Sequence, residues 1–404
     1  MTKVFGYSIL IVGLALASTG PAFTQITDTP AKTPVPVAHV YIQTKAGVMA
    51  FATAANGTLT PVPGSPFKVS GQMEDIRGKV LVSVGTTNLH SYQMEANGGI
   101  GKQLSEIDTA SYGGSECGGT SGQGSIFDHT GKYLYVQLDA FPGSECSSWQ
   151  SYKLEPVGAM KFLGDIVSNN IVDGIAYGSF IPTVSSNDKF VYGSFPYWGQ
   201  SSSLTWGYRP YFLAFTTTSS GDLKINESFE HADPPPYEGY TYYPVQVQAD
   251  PFGHLAVLEV GTSSTGGNIF GGQLASYTID PSTGAISSTS TGADMPTVLN
   301  IDDNAMKMSP SGKLLAVASN PGLEIYHFNG AAPITTFSGW MSFGFNFQFD
   351  QLAWDNDNHL YGLSYSAKLL HVLTVTPTNI SEAPGSPYSF PSSPYGATGL
   401  IVIP

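Results

Sequence analysis

The residues best equipped for chemistry gather in two aromatic-rich stretches. PYWGQSSSLTWGYRPY (196–211) sets Trp198, Trp206 and three tyrosines around Arg209, and FEHADPPPYEGYTYYP (229–244) places Glu230, His231, Asp233 and Glu238 among Tyr237, Tyr240, Tyr242 and Tyr243. Aromatic rings offer flat apolar faces with polar edges, which suits a sugar ring, and a guanidinium adds planar hydrogen bonds to carboxylates or hydroxyls. Trp198, Trp206, Arg209, Tyr240, Tyr242 and Tyr243 are therefore the expected ligand-binding residues. Glu230 and His231 could serve as base and acid near neutral pH and, with Asp139, are the catalytic candidates. In NIDDN (300–304), Asp302 and Asp303 supply oxygens that could hold calcium, the one cofactor these residue types suggest. DNDNH (355–359) is also oxygen-rich, but it coincides with a repeated turn and lacks the Gly of an EF-hand loop. The chain has no HExxH, GxSxG, P-loop or paired CxxC, and the Gly-rich run GGSECGGTSGQG (113–124) has no phosphate-binding Lys. Its arginines are Arg77 and Arg209, so a phosphorylated substrate would find few partners.

These residues sit in a chain of 404 residues with 16 basic and 30 acidic side chains, a net charge of −14 that excludes an unaided nucleic-acid binder. Only 11% of residues are charged, less than half the usual share, while 46 Gly and 28 Pro mark frequent turns. With 41% apolar residues the chain can bury a large core, which excludes intrinsic disorder. Lys3, the apolar run Val4–Leu16 and small residues up to Ala22 read as a signal peptide over 1–22, cleaved after Ala17 or Ala22. The apolar run is shorter than the roughly 20 residues of a spanning helix, so the expected mature protein has no membrane span. A Pro-rich spacer (23–37) follows, then one folded domain (38–404), expected as a secreted or periplasmic monomer. In an oxidising compartment the two cysteines, Cys117 and Cys146, are expected to form a disulfide.

A pentapeptide recurs six times: DIRGK (75–79), DHTGK (128–132), SSNDK (185–189), DPFGH (250–254), SPSGK (309–313) and DNDNH (355–359). Each reads as a tight polar turn followed by a short apolar strand, and an alternating strand precedes most of them, which makes a β-hairpin. A third strand follows with an apolar residue and a ring three positions on, as in Leu89 and Tyr92, Trp149 and Tyr152, or Leu274 and Tyr277, and a fourth follows a Gly-containing turn. The first repeat, beginning at HVYIQT (39–44), lacks an innermost strand, and GLIVIP (399–404) is a strand without a hairpin partner. Together they complete an all-β, seven-bladed β-propeller of four antiparallel strands per blade, with the C-terminal strand joining the N-terminal blade and closing the ring.

HTGKYLYV (129–136), SPSGKLLAVASN (309–320), LASYTIDPSTGAI (274–286) and NGTLTPVPGSPF (56–67) resemble the blade motifs of the lactonase-like seven-bladed propellers, the 6-phosphogluconolactonase-like or YVTN-type family, over 38–404. The resemblance implies this fold. Enzymes of the family open sugar lactones or cyclise muconates with Asn-Glu and Asn-Arg pairs after particular hairpins. Here Leu138 and Asp139 stand in place of Asn-Glu, keeping a carboxylate, and Ser319 and Asn320 stand in place of Asn-Arg, without the Arg.

In a four-stranded blade the turns within strands one and two and within strands three and four share one face. From turn to third strand the chain spends 10, 10 and 11 residues in blades two, six and seven but 17, 23 and 20 in blades three, four and five, so the opposite face carries long insertions over blades three to five. Insertions on a rigid scaffold are where binding residues collect. The expected function is binding of a small carbohydrate or a protein ligand there, with hydrolysis of a non-phosphorylated sugar lactone as the alternative and a structural role in the cell envelope, touching an envelope protein or glycan, as a further one. The expected disulfide closes a loop of about 30 residues and would stabilise the domain by about 3 kcal/mol. Alkylation of protein exported under oxidising conditions should leave both thiols unlabelled until reduction, and labelling beforehand would show the pair is not bridged.

Overall fold

The computed structural model describes residues 35–404 except 86, 110, 112–120, 140–146, 168–174, 177–181, 201–205, 227–239, 264–268, 299–300, 320–321, 345–346 and 397. In strand residues 121–123, 139, 147, 175–176, 194–200, 206–213, 240–243, 261–263, 269–271 and 301–305 it describes the backbone. Cys117, Cys146, Glu230, His231 and the leader and spacer up to residue 34 lie outside the described residues.

Strands form where β-branched and aromatic residues alternate between polar turns, and they assemble into seven sheets, each with a four-strand antiparallel core. Blade two is the plainest, running Gln72–Arg77, Val80–Val84, Asn88–Met94 and Ile100–Asp108 from the inside outwards. In blade four the innermost strand is interrupted, so that Ile175–Ala176 and Thr183–Val184 both pair with Phe190–Gln200. Blade one closes the ring: its own strands are Ala38–Thr44, Gly47–Thr53 and Leu59–Pro61, and Leu400–Ile403 pairs antiparallel along Ala38–Thr44, from His39 with Ile403 to Ile42 with Leu400. The chain is a seven-bladed β-propeller closed by its two ends.

The pentapeptide has a physical cause at two positions. The fourth residue has a left-handed backbone in all six copies: Gly78, Gly131, Gly253 and Gly312, with Asp188 and Asn358 in the other two. Glycine takes this conformation freely, and Asp and Asn tolerate it better than other residues, which accounts for the allowed residue types. The first residue caps the turn in five copies. Asp128 Oδ1 accepts from Lys132 N at 2.7 Å, Asp250 Oδ1 from His254 N at 2.7 Å and Asp355 Oδ1 from His359 N at 2.8 Å. Ser185 and Ser309 do the same with their hydroxyls toward Phe190 N and Leu314 N, both at 3.0 Å.

The sixth copy departs from this pattern. Arg77 pairs with Val80, so the blade-two hairpin turns on Gly78 and Lys79 alone, and Asp75 is not a cap but a strand residue paired with Val82. The shorter turn draws Asp75 and its neighbour into the innermost strand. Expecting DIRGK to be a full turn was therefore wrong in its first residue.

Adjacent blades bury apolar faces against one another, as where Trp149, Tyr135 and Phe215 pack together with Val191 between blades three and four. Buried hydroxyls then tie each blade to the next. Tyr41 of blade one donates to Gly98 O of blade two at 3.0 Å, Tyr192 of blade four to Gly284 O of blade five at 2.8 Å, and Tyr361 of blade seven reaches Thr53 Oγ1 of blade one at 3.1 Å. Tyr361 also donates to Asp355 at 2.9 Å, so a turn cap and the ring closure share one carboxylate.

The insertions of blades four and five are largely strand. Phe190–Gln200 and Trp206–Thr217 have 11 and 12 residues, and Tyr240–Ala249, His254–Ser263 and Ile269–Ile279 have 10, 10 and 11, against 5 to 8 for the second and third strands of the other blades. Deleting residues 399–404 should remove the closing strand and expose the edge of Ala38–Thr44. The expected result is aggregation or loss of a single cooperative thermal transition, and an unchanged melting midpoint would contradict closure by this strand.

Candidate functional site

The innermost strands surround a central cavity of about 300 Å³. Strand register defines one layer of residues around it. Asp75 pairs with Val82, Thr183 with Tyr192, Gln248 with Ala256 and Lys307 with Ala316, each at the same step of its hairpin, and all four line the cavity. Ile126, Ala353 and Ile401 hold the same step in blades three, seven and one. The layer is polar on four blades and apolar on three.

Blade two adds an acid beside this layer. Met73 pairs with Ser83 and Asp75 with Val82, so Glu74 is the extra residue of a β-bulge. A bulge interrupts the alternation of side chains and re-aims them, and here consecutive acids both line the cavity. Glu74 is 2% exposed, and neither carboxyl oxygen has a hydrogen-bond partner among the described residues. Asp75 is half-buried and fully engaged: Oδ1 accepts from Ile76 N at 2.7 Å and Oδ2 from Phe127 N of blade three at 3.0 Å.

Burial sets the charge states. It pushes the Glu74 carboxyl up to about 8, with the neighbouring Asp75 charge adding to the rise. It pushes Asp75 up to about 6, against the opposing pull of the two backbone N–H groups and of Lys307 and Arg77. Lys307, half-buried in blade six, is shifted down by burial, and Asp75 counteracts part of that shift. Between about pH 6 and 8 the bulge thus carries a neutral acid beside a carboxylate. At the tight-turn end the Arg77 guanidinium donates to His129 O, and His129 Nδ1 lies 2.6 Å from Asp188 Oδ1, which joins blades two, three and four around the cavity.

The expected ligand-binding residues stand on the long strands. Tyr197 pairs with Arg209, Trp198 with Tyr208 and Gln200 with Trp206, which makes a paired arm of what the sequence presents as a loop. Tyr240, Tyr242 and Tyr243 pair with Ser263, Gly261 and Val260. Their strand continues inward to Gln246 and Gln248, both lining the cavity, so the blade-five aromatic segment is the outward extension of a channel strand. Asp139 ends its strand opposite Ser121 and Ser147, with its side chain outside the described atoms. Asp302 and Asp303 fall in the register shift between Ile301 and Met306, likewise described in backbone alone. Among the described residues no group of three or more His, Cys, Asp or Glu side chains is placed to hold a metal.

Sequence reading missed Glu74, Asp75 and Lys307. A signal existed in Ile76: the second pentapeptide position is His129, Ser186, Pro251, Pro310 or Asn356 in the other copies, and an apolar residue there marks a strand that runs further before turning.

No protein-family model matches the chain, and no curated protein matches it. Solved structures do. A candidate 6-phosphogluconolactonase from Bacteroides fragilis aligns over 93% of this chain and 100% of its own, with a TM-score of 0.59 and 11% identity. A Lactobacillus plantarum protein aligns over 91% and 99%, with a TM-score of 0.53 and 11% identity. A protein of unknown function from Desulfotomaculum acetoxidans aligns over 86% and 95%, with a TM-score of 0.50 and 12% identity. The fold is that of the lactonase-like seven-bladed propellers, and at such identities the likeness extends to the fold alone.

Both acids hold their protons more tightly when folded than their ordinary values of 4.5 and 3.8 would give, so their contribution to stability is complete below about pH 4 and is lost as pH rises through about 6 and then about 8. The melting temperature should fall between pH 5 and 8.5, and Glu74→Gln, which stays neutral, should flatten the upper part of that fall. An identical pH profile for the variant would show that Glu74 is not buried as described.

Proposed function

We propose that the protein is an exported, monomeric binding propeller that takes a small polar ligand of carbohydrate size into the central channel, from the face where the arms of blades four and five stand. One observation carries this reading: a buried carboxyl, Glu74, lines a cavity with both oxygens unpartnered. Burying such a group without a hydrogen bond costs several kcal/mol, and the cost is recovered when a ligand brings donors. Gln246, Gln248 and Thr183 add side-chain polar groups to the wall, and the apolar positions Ile126, Ala353 and Ile401 accept a ring face. A cavity of about 300 Å³ lies at the small end for ligand sites and suits a single sugar-sized molecule. The strand that carries Gln246 and Gln248 begins at Tyr240, so its aromatic segment leads from the arm of blade five into the channel.

A second reading, hydrolysis of a non-phosphorylated lactone, is favoured by the charge states of the bulge. A carboxylate that ionises at about 6 could take a proton from water attacking the lactone carbonyl, and an acid neutral up to about 8 could return one to the departing alkoxide.

Calorimetric titration of the purified domain with monosaccharides and sugar lactones, with turnover followed in parallel, tests both. Binding that weakens at least tenfold in Glu74→Gln is the expected outcome, and Trp206→Ala should weaken it similarly if the arm borders the site. Lactone turnover abolished by Asp75→Asn with KM nearly unchanged would select the hydrolase. Binding that ignores Glu74→Gln would remove the channel as the site.

A further inference from the structure

The channel wall carries charges of both signs that are held apart. Asp75 and Lys307 occupy the same layer, on blades two and six, and both line the cavity. Each shifts the other's protonation as opposite charges do. Yet no ion pair within 4.0 Å joins them, and the Lys307 ammonium has no hydrogen-bond or ion-pair partner among the described residues. Two blades, seven and one, lie between blade six and blade two by the shorter way round the ring and three by the longer, so the two charges stand on opposite sides of the cavity. Glu74 adds two unpartnered oxygens on the blade-two side. A half-buried ammonium and a buried acid left without partners are each costly, and direct pairing is the usual remedy. Here the protein keeps them apart with room for a molecule in between.

We propose that the channel holds a small zwitterion, its ammonium group between the Glu74 and Asp75 carboxyls and its carboxylate on the Lys307 ammonium. The inference rests on the channel being the binding site and narrows its ligand to an amino-acid-like class. Three observations favour it over a singly charged ligand. An amine alone would leave Lys307 unpaired, and a carboxylate alone would leave Glu74 unpaired. Asp75 already accepts two backbone N–H groups, which holds its carboxylate in place as one wall of an ammonium site. The remaining layer positions split into hydrogen-bonding groups, Thr183 and Gln248, and apolar ones, Ile126, Ala353 and Ile401, which suits a short aliphatic body between two charged ends.

The test is a calorimetric titration of the intact wild-type protein with glycine, β-alanine, γ-aminobutyrate and 5-aminovalerate, which step the distance between the two charges. n-Butylamine and butyrate serve as single-charge controls, glucose as a neutral one and calcium chloride as a metal. The expected result is a clear length optimum, with the best zwitterion at least tenfold tighter than either single-charge control. Lys307→Met should reduce that zwitterion to the level of the amine and leave amine binding unchanged. Glu74→Gln should weaken both the amine and the zwitterion. Equal binding of amine and zwitterion would overturn the inference, as would calcium binding that Asp75→Asn removes while no zwitterion binds. Glucose binding without amino-acid binding would overturn it while leaving the proposed function intact, and the absence of binding by every compound would overturn both. The wild-type series stands even where a variant fails to fold, since it requires no substitution.

Discussion

The structure depends on how seven innermost strands satisfy backbone groups that no eighth strand covers. Each has a neighbour strand on one side and the channel on the other, and unpaired peptide groups at such an edge are costly and invite misassembly. The chain solves this with side chains from the preceding blade. Gln43 Oε1 accepts from Met73 N at 3.1 Å, Asp75 Oδ2 from Phe127 N at 3.0 Å, Thr183 Oγ1 from Ala249 N at 2.9 Å and Gln246 Oε1 from Met306 N at 2.6 Å. Between blades six and seven the direction reverses, with the Trp354 indole donating to Lys307 O at 3.0 Å. The ring is stitched at its centre by polar groups, and the apolar contacts between blades surround the stitching.

That constraint also makes the channel chemically able. A wall built of strand edges needs acceptors at regular steps, so Gln, Thr and Asp recur where a different fold would place aliphatic residues. Most of these groups are occupied by the backbone they serve. Glu74 is the exception, because the bulge inserts it as a residue with no peptide to cap. An acid that does no structural work at a buried position is a group whose energetics improve when a ligand arrives. The shortened turn at Gly78 and Lys79 places Asp75 in the wall rather than in the turn, next to the bulged Glu74.

The solved structures that share this fold share little of its sequence. At 11 to 12% identity over 86 to 93% of this chain, what they share with it is the fold. Function must then be argued from the wall and the arms of this particular chain. At 138–139 and 319–320, where the sequence resemblance would place Asn-Glu and Asn-Arg, the chain has Leu-Asp and Ser-Asn, one carboxylate and no arginine, whereas the bulge of blade two offers its own pair of acids.

Much of the fold was legible in the residues because the signals are local. A turn that needs a left-handed fourth residue selects Gly, Asp or Asn within five positions, and a first residue that caps it selects Asp or Ser, so five of the six hairpins follow from pentapeptides alone. Closure was legible too, because an unpaired strand at each end of the chain admits one solution. The sequence pointed to the aromatic segments of blades four and five but described them as loops, and pairing such as Trp198 with Tyr208 is decided by long-range register. The channel site was not legible at all. Asp75 reads as the first residue of a turn, Glu74 stands just before it with no reading of its own, Lys307 reads as an alternating polar residue of a hairpin strand, and nothing in either segment refers to the other. They meet because ring closure brings blades two and six around one cavity, and their protonation is set by burial within it, a property of the assembled ring rather than of any stretch of chain.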